Sequence, residues 1–139
     1  MQYNARRPIA ELSSFGWMTG TWHARNNSYV FAFTMKGRWL FGADGKAADY
    51  FYLTYDAGLH GYTLVRIESL PSYGIWLSTS GWQGDRIEFT SDVAYVAGRP
   101  YHRRLTILRS GARAFSIREE ELGSDGRWIT DDTITLGKE

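Results

Sequence analysis

After Trp17 the chain alternates apolar and polar residues with a period of two, which is the pattern of half-buried β-strands. Turn residues such as Asn26-Asn27, Gly84-Asp85 and Asp125-Gly126 separate the alternating segments. The predicted strands are 18–26, 29–41, 48–55, 61–69, 74–82, 86–92, 101–109, 113–122 and 127–136. The second strand is long and is expected to bend or break at Gly37, which gives nine or ten strands in all.

The only predicted helix is short. Residues 8–15 are expected to form one or two turns, with Pro8 at a first helical position. Aromatic residues make up 16% of the chain, and 15 Gly occur against three Pro, a composition that favours strands, tight turns and bulges. The sequence therefore predicts an all-β fold, a single domain over residues 1–139, forming a closed antiparallel barrel with the short helix over one end.

Strand register is predicted by pairing apolar residues across each turn. The expected opposite pairs are Trp22–Phe31, Trp82–Ile87, Ile107–Phe115, Leu105–Ile117, Ile117–Ile134 and Phe115–Leu136. The last two hairpins share one inward face, which supports a continuous sheet. Trp22 is expected to pack at the closed end, beneath the N-terminal segment.

Four stretches in order carry a family resemblance: "MTGTWHA", "LTYDAGLHGYTLVRIES", "GIWLSTSGWQGDRIEFT" and "FSIREEELGSDGRWI". Together they resemble an uncharacterised bacterial family of lipocalin-like (calycin) barrels that is related to the nitrobindin-type barrels. The resemblance covers nearly the whole chain and implies a closed antiparallel barrel, without implying any particular chemistry.

The histidines do not fit the haem-binding branch of that family, in which a histidine near the C-terminus binds the iron. This chain ends "DDTITLGKE", and its histidines are His23, His60 and His102. The predicted register places His23 and His102 on the outside and His60 in a turn. The chain also has no cysteine, which excludes disulfides and thiolate metal sites. The sequence thus predicts no haem, metal or other cofactor.

A set of polar residues lies along the inward face of the last three predicted strands. Beyond the apolar positions come Arg103, Glu119 and Asp132, with Tyr101 and Glu121 one step nearer the mouth. Charges on an inward face are costly unless they are paired, and Arg103 between two carboxylates satisfies that requirement. These residues predict either an ion-pair network that braces the barrel or a polar rim that orients a ligand bearing a hydroxyl, carbonyl or carboxylate. All three charged side chains are expected within mutual hydrogen-bonding reach.

Arg66 is a second polar candidate. Pairing the third and fourth strands sets Phe51 opposite Arg66 and Leu53 opposite Leu64, but the other face of this hairpin is nearly as apolar. The sequence leaves open which face is inside. If Arg66 points inward, it is expected to be a lone guanidinium among aromatics, suited to an anionic or carbonyl group.

Aromatic and small polar residues alternate elsewhere. Ser78 and Ser80 are expected on the same face as Trp76, and small residues between large ones leave space for a ligand. Trp39 and Trp76 are expected either to fill the core or to line a ligand pocket. The predicted ligand-binding set is Trp39, Arg66, Trp76, Ser78, Ser80, Tyr101, Arg103, Glu119 and Asp132.

Binding of a small, largely apolar or aromatic molecule inside the barrel is the function that this pattern favours. The alternatives are a cofactor-free isomerase, dehydratase or cyclase with Glu119 or Asp132 as acid or base, and a structural barrel without a ligand. The net charge of +1 predicts no nucleic-acid or membrane partner. A cytoplasmic location is the default expectation. A homodimer is left open, since Tyr73 and Tyr95 are predicted to lie in loops.

Overall fold

The computed structural model describes residues 7–46, 48–69 and 72–139, and the side chains of all of these except 92 and 93. A 3-10 helix over Ala10–Met18 precedes the strands. The strands are β1 (Gly20–Ala24), β2 (Asn27–Thr34), β3 (Trp39–Asp44), β4 (Asp49–Asp56), β5 (Gly61–Glu68), β6 (Ser72–Ser78), β7 (Trp82–Gln83), β8 (Arg86–Val96), β9 (Arg99–Arg109), β10 (Ala114–Leu122) and β11 (Trp128–Lys138).

Ten of these strands form a closed antiparallel barrel, as the sequence predicts. Each strand pairs with its neighbour along the chain, except that β6 passes over the two-residue β7 to pair with β8. The ring closes where β1 meets β11, through only two residue pairs, Trp22 with Lys138 and His23 with Gly137. Because the seam pairs only the end of β11, residues 128–136 of that strand have no partner on the seam side among the described strands.

The predicted faces are correct even where the predicted register is not. Ile117 pairs with Ile134 and Trp82 with Ile87, both as expected. Across the turn before β10, however, Ile117 lies opposite Ile107 rather than Leu105, and β1–β2 is displaced in the same way. Both displacements are two residues, and because the side-chain period of a strand is two, they leave the inward residues inward.

The long second strand breaks, as anticipated at Gly37. Met35, Lys36 and Gly37 all have positive φ, and Thr34 pairs with Trp39 across the turn that they form. Gly37 adopts this conformation without strain, whereas Met35 and Lys36 adopt it at a cost in backbone energy. The break makes two strands of one and sets Leu40 on the inner face of β3, with Trp39 on the outer face.

Aromatic packing fills the closed end of the barrel. The helix buries Leu12 and Phe15 against the interior, and the Trp22 indole N–H donates to the Met18 carbonyl at 2.7 Å. The Trp22 and Phe115 rings pack edge to face with centroids 4.7 Å apart. The expected position of Trp22 is confirmed, and this half of the interior is a solid core.

Candidate functional site

The other half of the interior is polar, and its centre is Arg66. This side chain is 3% exposed. Its Nε and Nη2 donate to the two carboxylate oxygens of Asp49 at 3.0 and 2.8 Å. Nη2 also lies 2.8 Å from Glu68 Oε1, and Nη1 contacts Glu119 Oε1. We call Arg66, Asp49, Glu68 and Glu119 the Arg66 cluster.

Three strands bring this cluster together. Arg66 lies on β5 opposite Phe51, as the sequence pairing predicted, and the guanidinium carbon sits 4.8 Å from the Phe51 ring centre. Asp49 and Glu68 face each other two residues further along the same hairpin, so strand alternation places them on the same inward face. Glu119 comes from β10, and the Arg66–Glu119 contact therefore spans the barrel interior.

Arg66 is not the lone guanidinium that the sequence suggested. With three carboxylates around it, its donors are already engaged, and an anionic ligand would have to displace one of them. The expectation of a lone guanidinium is therefore wrong, because the register also places the Asp49–Glu68 pair beside Arg66, whereas a role of Arg66 in binding an anionic or carbonyl group stays a prediction.

Negative charge outweighs positive charge in this region. Three carboxylates meet one guanidinium, and burial raises the pKa of Asp49 above its usual range although the hydrogen bond from Arg66 opposes that change. The neighbouring Tyr29 responds in the same direction: burial, followed by the charges of Asp49 and Asp44, raises the pKa of its phenol to about 12. This half of the interior favours protons and other donors over anions.

Asp49 is expected to make the free energy of unfolding depend on pH below neutrality. Because its pKa is higher in the folded chain than in the unfolded chain, the folded state binds more protons between the two values. The contribution of Asp49 to the free energy of unfolding is therefore full below the unfolded value of 3.8 and is lost as the pH rises through the folded value. We expect wild-type protein to gain stability relative to Asp49→Asn as the pH falls from 7 toward 4, measured by urea unfolding at each pH. A difference between the two proteins that stays constant over this range would contradict the raised pKa.

Trp76 contributes an unpaired polar atom to the interior. The side chain is 2% exposed, opposite Leu64 on the inward face of β6, and its indole nitrogen has no hydrogen-bond partner among the described residues. Buried donors are normally satisfied, so this N–H is available to donate to an acceptor on a ligand or to a buried water. Small residues, Ser72 and Gly74, lie on the same strand face nearer the mouth.

The predicted group of Arg103, Glu119 and Asp132 does not form as a unit. Glu119 and Asp132 are opposite one another, and Glu119 is buried, but its partner is Arg66. Arg103 donates to Asp131 at 2.8 Å instead. Mutual hydrogen bonding of the three is thus a wrong prediction.

A β-bulge causes this difference. Glu119 pairs with Asp132 and Glu120 with Thr130, so Asp131 is an extra residue in β11. A bulge of this type re-aims the side chains beside it, and here it offers Asp131 to Arg103. Asp132 is exposed, and Tyr101 and Arg103 are half-buried with the guanidinium 5.9 Å from the Tyr101 ring centre.

The remaining residues of the predicted ligand-binding set do not lie together in the structure. Ser78 is buried on the inward face with Trp76, and its hydroxyl accepts from the Gly81 N–H at 3.3 Å. The prediction that Ser80 lies on the same face as Trp76 is wrong. Strand β6 ends at Ser78, and Ser80 is exposed in the turn that follows. Trp39 lies on the outer face of β3, away from the interior.

Asp49 and Glu68 are interior residues of the cluster that sequence reasoning missed. The signal for both was present: extending the Phe51–Arg66 pairing by two residues puts Asp49 opposite Glu68 on the same face. The Arg66–Glu119 contact had no such signal, because it joins strands that are not neighbours.

No group of three or more His, Cys, Asp or Glu in the described parts of the chain is arranged to hold a metal ion. The absence of a cofactor stays a prediction. His23, His60 and His102 are all exposed, and His23 lies 3.6 Å from Glu139. No helix in the described ranges is long and apolar enough to cross a membrane.

Neither a protein-family model nor a curated protein matches this chain. The structure itself supports the coarser part of the resemblance, since a closed ten-stranded antiparallel barrel is consistent with a calycin-like barrel.

Proposed function

We propose that the barrel binds a small, largely apolar or aromatic molecule at the polar end of its interior, with the Arg66 cluster against the polar group of the ligand. The observation that carries this proposal is the cluster itself: a guanidinium 3% exposed, held among three carboxylates beside a core of aromatic side chains. The aromatic cluster supplies apolar walls, among them Phe51 and Trp76.

A purely structural role fits this arrangement poorly. Burying an ion pair costs desolvation that the attraction only partly offsets, and apolar residues of similar volume often stabilise a fold better. A brace needs one carboxylate for each guanidinium, whereas Arg66 has three. The excess negative charge and the open Trp76 N–H support a bound partner that completes the set of interactions.

The excess of carboxylates over guanidinium in the Arg66 cluster indicates which polar group the ligand carries. Carboxylates accept hydrogen bonds, and a neutral hydroxyl or a protonated amine donates them, so either group is favoured here. A ligand carboxylate would meet like charges and is disfavoured. Of the groups that the sequence suggested, hydroxyl fits best and carboxylate worst.

The test compares three probes with one skeleton: 2-naphthylmethylamine, 2-naphthylmethanol and 2-naphthoate. Tryptophan emission is followed as each is added to the full chain at neutral pH. We expect the amine and the alcohol to bind and naphthoate to bind at least about tenfold more weakly, as one unfavourable buried charge contact implies. Binding of none of the probes would favour a structural barrel, and preferential binding of naphthoate would contradict the polarity of the site.

A matched pair of variants locates the binding. Glu119→Gln removes one buried charge of the cluster, and Glu88→Gln makes the same change on the outer face of β8. Affinity for the amine should fall with Glu119→Gln and stay unchanged with Glu88→Gln. Equal affinities in the two variants would place the probe elsewhere.

We also propose that the chain is a lipocalin-like barrel related to the nitrobindin-type barrels. Its support is the Gly-x-Trp segment on β1, the short helix beneath it and the ten-stranded closure. A catalytic role for Glu119 or Asp132 stays a prediction of the sequence, and nothing in their geometry favours it over binding.

A further inference from the structure

The outer face of half the barrel carries almost no charge. Along β2 to β6 the buried residues alternate with outward-facing ones, and of the outward-facing residues only Asp56, at the end of β4, is charged. The outward residues of β5 and β6 are the most apolar, and Tyr95 of β8 lies beside them, at the end of β8 away from the charged Arg86 and Glu88. We call the following six the apolar wall: Val65, Ile67, Tyr73, Ile75, Leu77 and Tyr95.

The apolar wall is open to solvent in the single chain. Ile67, Tyr73 and Ile75 are 46%, 52% and 61% exposed. A groove of about 670 Å³ runs along these strands and is lined by all six residues of the wall, together with Thr90 and with residues of the inward face, among them Arg66 and Glu68. Tyr73 and Tyr95, expected in loops, lie on paired strands instead, and their rings stack at 5.4 Å.

The opposite outer face has the reverse character. On β9 and β10, Arg104 makes a two-pronged contact with Glu120 at 2.9 and 3.0 Å, and Arg118 lies 3.4 Å from the same carboxylate. Arg86 and Glu88 pair on β8. Charged residues therefore cover this side of the barrel, as is usual for a solvent-exposed surface. The near absence of charge is confined to the outer face of β2 to β6.

We propose that the apolar wall is the interface of a homodimer related by a two-fold axis. A two-fold axis brings the same surface against itself, so any charge near the axis would face its own copy. A wall without charges meets that condition, and a net charge of +1 per chain adds little repulsion. The groove on each copy would accept side chains of the other.

The surface is at the small end of the range for a dimer interface. The outer faces of β2 to β6, at about 4.8 Å spacing and roughly five residues in height, cover on the order of 400 Å² before side-chain relief is counted. A standard stable interface buries about 800 Å² of accessible surface on each partner, so we expect a weak dimer that is populated in the upper part of the concentration range tested.

A membrane surface fits the wall less well than a second copy does. Binding to a lipid interface draws on Lys and Arg beside the apolar residues. Strands β2 to β6 contain a single basic residue, Arg66, and its side chain is inside the barrel. The second copy is therefore the occupant that the charge pattern favours.

Sedimentation velocity or light scattering of the full chain over about 1–100 μM tests the proposal. We expect a dimer in wild-type protein and a rise of at least about 100-fold in its dissociation constant for Ile75→Lys, since the substitution enters twice and places like charges near the axis. The matched control is Ile129→Lys, because Ile129 is 59% exposed and lies on β11, away from the wall. This control should dimerise like wild type.

Three outcomes would overturn the proposal: a monomer at every concentration, a dimer that survives Ile75→Lys, and a dimer lost equally with Ile129→Lys. Circular dichroism of both variants checks that the barrel is intact, which the exposure of both side chains predicts. As a second measurement, Ile75→Cys in this cysteine-free chain should form a disulfide-linked dimer under mild oxidation, and Ile129→Cys should not. Equal crosslinking of the two single-cysteine variants would count against the wall.

Discussion

Replacing Arg66 with methionine is expected to lower the free energy of unfolding by about 3–5 kcal/mol, the range typical when one partner of a buried ion pair is removed. The substitution keeps most of the side-chain volume but leaves Asp49, Glu68 and Glu119 facing one another without a cation. Chemical unfolding at neutral pH, followed by tryptophan emission, measures the loss.

Two further variants separate charge from packing. Arg86→Met removes an arginine from an exposed ion pair on β8 and should cost less than about 1 kcal/mol. Adding Asp49→Asn and Glu119→Gln to Arg66→Met should restore part of the lost stability, because it removes the carboxylates left without a counter-charge. A loss in Arg66→Met no larger than that in Arg86→Met would mean that the guanidinium does not hold the interior carboxylates.

Truncating Trp22 to alanine is expected to cost a similar 3–5 kcal/mol, the range for removal of a large buried aromatic side chain. Trp22 is 0% exposed, packs against Trp17 and Phe115, and donates a hydrogen bond to the helix. Its loss leaves a cavity between the helix and the barrel. Thermal and chemical unfolding measure the change.

Trp39→Ala is the matched control for that substitution. Trp39 is half-buried on the outer face of β3, so truncating it opens no cavity and should cost less than half as much. If the two truncations proved equal, the closed end would not be the main source of stability. Trp22→Phe keeps one aromatic ring but removes the pyrrole half of the indole with its N–H, so its cost combines the lost hydrogen bond to Met18 with a cavity smaller than that of Trp22→Ala.

Period-two patterning was enough to predict which residues face the core. Ile117, Ile134 and Leu136 lie where the pattern placed them, and two hairpins with a register error of two residues still bury the expected side chains. An error of one residue would have reversed both faces and exposed the core, so burial excludes it. An error of two leaves burial unchanged, and the apolar pattern alone therefore does not detect it.

The candidate site was predictable only in part. Arg66 was identified from its own hairpin, and its orientation was undecided because Tyr52 and Val65 make the outer face almost as apolar as the inner one. The ambiguity arises because the outer face of β5 belongs to the apolar wall, so polarity does not distinguish that face from the inner one. The bulge at Asp131 and the contact from Glu119 across the barrel depend on three-dimensional closure, which local patterning does not contain.

The seam between β1 and β11 is the strand pairing that we expect to form last as this barrel assembles. In the described part of the chain every other strand pair joins neighbours along the chain or strands separated only by the two-residue β7, and such hairpins form after the closure of a short loop. The seam alone joins residues from opposite ends, and it does so through two residue pairs. The entropy cost of closing its loop is the largest among the described strand pairs, and within the ten-stranded ring its pairing is the shortest. We therefore expect the meander to form first and the ring to close last, with the Trp22–Phe115 contact of the closed end forming across the seam as it closes.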